Sequence, residues 1–169
     1  MEQQAESDQY LAGVETDQIV QFLTFQLNEE EYGISILNIK EIVDYGHITK
    51  VPMMTDFIAG VINLRGSVVP VVDLALRFSE EPSVRTKRSS IVILEAEYES
   101  KKIEIGITVD VVNEVLDISP KEIEVTPSFG TKIRTDFISG MGKVEGQLLV
   151  LLNIDKILDI DELSAVGGL

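Results

Sequence analysis

The chain has one histidine, His47, and no cysteine at all. Hydrolytic relays need an imidazole beside a nucleophile and an orienting carboxylate, and transition-metal sites need several nitrogen or sulfur ligands. A single imidazole in the turn-like stretch Gly46-His-Ile-Thr-Lys50 supplies neither, so His47 reads as a surface side chain. Carboxylates are plentiful, but Glu29-Glu-Glu31 and Asp159-Ile-Asp-Glu162 read as solvated turn and helix faces. Neither reads as an acid–base pair held at a catalytic separation. Gly60, Gly66, Gly140 and Gly146 follow no phosphate-loop or dinucleotide pattern and are expected to supply tight bends in hairpins. Without cysteine, a disulfide framework, a thiolate nucleophile and a thiolate metal site are all excluded. The expectation is a protein with no catalytic residues, no metal and no cofactor, and recognition is the favoured class. A small β-barrel hydrolase using paired carboxylates is the rival from another class.

The elements that would position a recognition surface are written twice. Residues 55–74 align without a gap on residues 135–154, with identities at Thr55/Thr135, Asp56/Asp136, Phe57/Phe137, Ile58/Ile138, Gly60/Gly140 and Gly66/Gly146. Upstream, 33–45 align on 106–118, with Gly33/Gly106, Ile34/Ile107, Glu41/Glu114 and Asp44/Asp117 identical. The offset between copies grows from the first block to the second, which places an insertion around 121–132, a loop-like stretch with Pro127, Ser128 and Gly130. Two copies of one β-rich module are expected. One difference stands out at the tip of the shared turn, where Arg65 in the first copy faces Glu145 in the second.

With 169 residues and 44% hydrophobic content the chain can bury a core, yet each copy alone is of a size at which burial is marginal. The copies are therefore expected to share buried surface. A formal net charge of −15 argues against nucleic acid or an anionic membrane as a partner. No run of eighteen apolar residues is present and the first residues are acidic rather than basic and apolar, so a soluble, cytoplasmic protein is expected.

Along the chain, 1–16 read as a disordered acidic tail, and 17–163 as one domain of two subdomains at about 17–82 and 88–163. Leu23, Phe25 and Leu27 share a strand face, as do Tyr32, Ile34 and Ile36, and Asn28-Glu-Glu-Glu31 between them predicts a hairpin. Ile36, Ile39 and Ile42 step at the spacing of a short helical turn or a twisted edge. From periodicity alone, core is the favoured reading for all three. The apolar runs 61–64 and 68–72 read as strands buried on both faces about a tight turn, with Pro70 placing its strand at an edge or a bulge. Asp73 and Asn153 each precede a short helical pattern as N-caps. Arg85-Thr-Lys-Arg88 is the only basic cluster; it can be a patch for an acidic partner or a solvated linker, and the linker is favoured. Residues 164–169 look like a frayed end.

The stretch Phe57-Ile-Ala-Gly-Val-Ile-Asn-Leu-Arg-Gly-Ser-Val-Val-Pro-Val-Val-Asp-Leu74, preceded by Glu31-Tyr-Gly-Ile-Ser-Ile-Leu-Asn-Ile-Lys-Glu-Ile42, closely resembles the CheW family of bacterial chemotaxis coupling proteins. The resemblance covers about residues 18–162. It implies an all-β fold of two intertwined five-stranded SH3-like β-barrels with short helical turns. It implies a non-catalytic adaptor that couples the cytoplasmic hairpin tips of chemoreceptors to a CheA-type histidine kinase, with other CheW copies as further partners and no membrane insertion of its own. By the match of motifs, Leu23, Ile36, Ile39 and Ile42 correspond to the family's receptor-binding groove, and Glu41, Gly60 and Arg65 to positions associated with receptor or kinase coupling. An adaptor of another chemosensory pathway, such as surface motility, is the alternative within the same fold.

Overall fold

The computed structural model describes residues 18–82, 84–126 and 133–164. The acidic tail 1–16, the part of the insertion loop at 127–132 and the end 165–169 lie outside the described residues.

In the first copy, β1 (Val20–Leu27) and β2 (Glu30–Ser35) form the expected hairpin. A 3-10 turn at Ile36–Asn38 follows, started by the Ser35 hydroxyl, which accepts the Leu37 N–H. It leads into β3 (Ile39–Asp44), and then β4 (Ile58–Leu64) and β5 (Ser67–Val72) make a second hairpin that ends in α1 (Leu74–Arg77). The second copy repeats this order with β6 (Ser90–Tyr98), β7 (Lys101–Val109), β8 (Val111–Ile118), the short β9 (Ile123–Glu124), β10 (Ile138–Val144), β11 (Gln147–Leu152) and α2 (Ile154–Ile157). A last helix, α3 (Ile160–Ser164), follows. Asp73 and Asn153 cap α1 and α2 as expected, their side chains accepting from the N–H groups of Leu76 and Lys156. Asp73 N–H donates to the Phe57 carbonyl at 2.7 Å, and Asn153 N–H to the Phe137 carbonyl at the same distance.

The strands form two sheets, β3-β6-β7-β5-β4 and β8-β1-β2-β11-β10-β9. The architecture is the expected all-β one, with a sixth strand in the second sheet because Ile123–Glu124 pairs with β10. Neither sheet is one copy. Strand β3 pairs with β6, and β5 runs parallel to β7, while β8 pairs with β1 and β11 runs parallel to β2. Each copy thus gives its first hairpin to one sheet and its later strands to the other, and 17–82 and 88–163 mark sequence repeats that both contribute to both sheets.

Three buried clusters follow from this exchange. The largest joins the faces the two sheets turn toward each other, with Leu23, Phe25, Leu27, Tyr32 and Ile34 from one copy against Val92, Leu94, Ile105, Phe137 and Ile154 from the other. A file of rings runs through it, Phe25–Tyr32–Phe78–Phe137, with centroids 6.0, 5.5 and 5.9 Å apart. Two smaller clusters fill the opposite faces, Ile62, Val69, Val71, Ile91 and Ile93 in one sheet and Phe22, Ile118, Leu149 and Leu151 in the other.

Three local expectations are corrected. Burial of β4 and β5 on both faces holds only toward the end of β5, since Val68 is 69% exposed and Asn63 lies in solvent beside the turn. Strand β5 is not an edge; Pro70 precedes the short parallel pairing with β7, which starts at Val71, so its missing N–H removes nothing from that ladder. Gly60 and Gly140 are not at bends. Each sits in a strand at a register shift where another segment crosses: a Cβ on Gly60 would lie 2.3 Å from the Thr49 carbonyl oxygen, and one on Gly140 3.1 Å from that of Glu124. The Thr49–Val61 bridge in the first copy is thus the counterpart of β9 in the second.

Candidate functional site

Ile36, Ile39 and Ile42 come from the 3-10 turn and from β3, an edge strand. In a regular strand, residues 39 and 42 would point to opposite faces. The register of β3 on β6 slips between Ile39 and Glu41, so that Ile39 stands opposite Leu94 and Ile42 opposite Val92. Both partners belong to the central cluster, and the bulge therefore brings Ile39 and Ile42 to the same face. Ile36 and Ile39 are half-buried against that cluster while Ile42 is 42% exposed. The three make a strip that starts in the core and ends in solvent. Leu23 is 4% exposed, a member of the same cluster, and can offer a groove only its floor.

The outer part of the strip occurs twice, although Val109, the counterpart of Ile36, is buried. On β1 and β8 the register slips again, and the Thr24 hydroxyl fills the gap by accepting from Glu114 N–H and donating to the Glu114 carbonyl. Val112 packs on the central cluster and Val115 is 48% exposed, as Ile39 and Ile42 are in the first copy. The alignment of 33–45 on 106–118 carries that signal, although apolar identity alone does not single out either valine. Leu37, 87% exposed in the 3-10 turn beside Ile36, escapes sequence reasoning as well, because exposure has no mark in an apolar triplet.

Glu41 and Arg65, which are distant in sequence, form an ion pair with Arg65 Nη2 donating to Glu41 Oε1. Arg65 and Gly66 both have positive φ, 51° and 89°, and the turn is tied by Gly66 N–H donating to Asn63 Oδ1 at 2.9 Å. Glu145 and Gly146 repeat the conformation at 49° and 81°. Backbone and glycine set the turn, and the side chain at its tip is free to differ. The Glu41 carboxylate raises the Arg65 pKa further, so the guanidinium stays charged, and with 70% of the side chain exposed the pair contributes little to folding. The equivalent residues in the second copy are Glu114 and Glu145, two carboxylates, so a compensated ion pair in the first copy corresponds to two like charges in the second. Gly60 does not join Glu41 and Arg65; it lies under the crossing at Ile48 and Thr49.

Among the described residues, no group of three or more His, Cys, Asp or Glu is placed to hold a metal ion. No helix among them is long and apolar enough to cross a membrane. What the geometry offers is surface: an apolar strip at a sheet edge and, running from the same strand to the β4–β5 turn, a charge pair that a partner can compete for.

Comparison with known proteins agrees with the resemblance read from the motifs. Residues 21–162 match the family model described as CheW-like domain. The chain is 35% identical to chemotaxis protein CheW of Klebsiella aerogenes over 148 residues, 88% of this chain and 87% of that protein. It is 36% identical to chemotaxis protein CheW of Bacillus subtilis over 81% of this chain and 85% of that one. The crystal structure of the scaffolding protein TtCheW from Thermoanaerobacter tengcongensis superposes with a TM-score of 0.74 at 34% identity, covering 82% of this chain and 87% of that one.

Proposed function

The chain belongs to the CheW-like family of chemotaxis proteins, and from that premise we propose that it is a non-catalytic adaptor joining chemoreceptor tips to a CheA-type histidine kinase. The observation that carries this reading is that one edge strand, β3, bears both the apolar strip and the Glu41 end of the ion pair to the β4–β5 turn. The strip Ile36, Ile39, Ile42 suits the apolar face of a receptor hairpin helix, and the Glu41–Arg65 pair at the neighbouring hairpin tip suits a polar contact with receptor or kinase. An arginine can leave Glu41 for a partner carboxylate with bidentate geometry, which a lysine reproduces poorly. The protein works in the cytoplasm and is recruited to membrane-associated receptor arrays. Gly60 contributes indirectly, by letting the chain cross beneath the hairpin that carries Arg65.

The test is co-sedimentation of a ternary complex with receptor-containing membranes and kinase, alongside kinase activation. Arg65→Glu is expected to keep the melting temperature within a few degrees and to reduce ternary complex formation at least tenfold, because the variant places two carboxylates where the second copy already has them. Normal kinase activation by that variant would sink the assignment of Arg65. Failure of the native chain to bind either partner would sink the adaptor reading itself.

A further inference from the structure

The alignment of 33–45 on 106–118 sets Ser35 against Thr108, Ile36 against Val109 and Leu37 against Asp110. In the second copy all three side chains serve the fold. Thr108, 3% exposed, accepts the Leu74 N–H at 3.4 Å at the start of α1. Val109, 1% exposed, belongs to the central cluster. Asp110 accepts the Asn28 N–H at 2.7 Å and donates its own N–H to the Gln26 carbonyl, which ties the junction of β7 and β8 to the end of β1. The chain passes from β7 to β8 with that one residue between them.

The first copy spends the same segment differently. It is wound into the 3-10 turn Ile36–Asn38, and the Ser35 hydroxyl serves the turn itself by accepting the Leu37 N–H at 3.2 Å. Ile39 N–H closes the turn on the Ile36 carbonyl. Leu37 is left 87% exposed, so it adds almost nothing to the core. A scattered exposed leucine needs no explanation. Leu37 is not scattered, because it adjoins Ile36 at the inner end of the apolar strip. Consecutive side chains of a 3-10 turn stand about 120° apart. With Ile36 packed on the central cluster, Leu37 is carried to the flank of the strip.

We propose that Leu37 is a specificity-determining contact for the receptor helix, an inference that rests on the adaptor reading above. The strip alone fits a narrow apolar seam. A helix that also covers Leu37 needs an apolar stripe of about 100° or more, the width of an ordinary amphipathic face. A helix with a charge on that flank would have to desolvate it against leucine and is rejected. The two hydrogen bonds of the turn fix the backbone that carries Leu37 before a partner arrives, so little ordering is left to be done on binding. The second copy has no such selector, since the residue at this position is a carboxylate engaged with Asn28.

The test is binding of the full chain to a soluble fragment of the chemoreceptor hairpin tip from the same organism, read by fluorescence anisotropy beside binding to the kinase. Leu37→Ser is expected to weaken fragment binding about fivefold, as the loss of a partly buried leucine contact implies. Kinase binding should stay within about twofold and the melting temperature within about two degrees. Leu37→Met, similar in volume, should bind the fragment within about twofold of the native chain. Asp110→Ala is expected to do the reverse of Leu37→Ser, lowering the melting temperature while fragment affinity stays within about twofold. Glutamate scanned along the fragment helix should reveal a position that costs the native chain about tenfold and Leu37→Ser about threefold or less. Native affinity in Leu37→Ser, equal losses toward fragment and kinase, weakened fragment binding in Asp110→Ala, or a scan with no position coupled to Leu37 overturns the inference and leaves the adaptor reading standing. A native chain that binds no fragment removes both.

Discussion

At the scale of single residues, Gly60 and Gly66 look alike in sequence and are glycines for different reasons. Gly66 has φ 89° in an open turn, with nothing within 4 Å of the point where a Cβ would stand, so Gly66→Ala meets only the backbone cost of a left-handed residue, about 1 kcal/mol. Gly60 has φ 151° and a backbone oxygen in the space a Cβ would occupy. Backbone cannot yield as a flexible side chain does, so Gly60→Ala is expected to cost about 2–4 kcal/mol in chemical denaturation. Equal costs at the two positions would refute the crossing as the reason for Gly60. A loss of coupling in Gly60 variants should accordingly track their loss of stability, whereas that of Arg65→Glu should not.

At the scale of elements, the β3 bulge turns three isoleucines into one surface. Ile39→Asp places a carboxylate at a half-buried position beside an exposed one, where water can reach it, and should weaken receptor binding more than kinase binding at a cost of about 1–2 kcal/mol. A collapse of the melting temperature would return Ile39 to the core. The C-terminal element is held differently. Arg77, 4% exposed, donates to the carbonyls of Ile157 and Lys156 and to Glu162, and stacks on both repeat phenylalanines, 5.1 Å from Phe57 and 4.7 Å from Phe137. Arg134 holds Glu162 and Asp136 from the other side. Arg77→Leu would strand two carbonyls and is expected to lower the melting temperature by on the order of 10 °C.

The acid response of this clamp has a definite sign. Arg134, and then Arg77, hold the Glu162 carboxyl below the usual carboxylate range, and Arg134 does the same to Asp136. A carboxylate lowered in the folded state contributes stability above its unfolded pKa and loses it as pH falls through the folded value. The melting-temperature difference between the native chain and Glu162→Gln should thus be constant from pH 7 to about 5 and shrink below about 4. Asp73, raised by burial, acts with the opposite sign, but it is present in both proteins and cancels. A difference that grows on acidification would rule the clamp out.

How much of this the sequence discloses also sorts by element. Hairpins, caps and the Arg65 turn are legible because each is set by local chemistry: alternation, an Asp or Asn before a helical step, a glycine after a turn residue. The strip is legible as residues but not as a surface, since a bulge changes which side chains share a face and leaves no trace in composition. Glu41 and Arg65 come together in sequence only through the family resemblance, because nothing local links β3 to the β4–β5 turn. Exposure of Val68 is hidden for a similar reason: an apolar run states that burial is possible, and only the neighbouring strands decide where it stops.

At the scale of the whole molecule, marginal size of each copy suggests a shared core, and the topology gives the stronger reason for it. In the first copy, the ladder partners of β1, β2, β3 and β5 outside their own hairpins, β8, β11, β6 and β7, all come from the second copy. A fragment of residues 17–82 would keep two hairpins with open edges and half of the central cluster, and isolated hairpins are at best marginally stable in water. A fragment of 88–163 would fare no better, since β6 and β7 would lose β3 and β5, and β8 and β11 would lose β1 and β2. Neither fragment is expected to show a cooperative melt or dispersed amide resonances alone. Because the missing partners of each are what the other carries, equimolar mixing should restore β-sheet circular dichroism and a single cooperative transition, with a midpoint that rises with concentration as a bimolecular assembly requires. Two fragments that melt cooperatively by themselves, or a mixture no more folded than its parts, would contradict the exchange of strands as the basis of the fold.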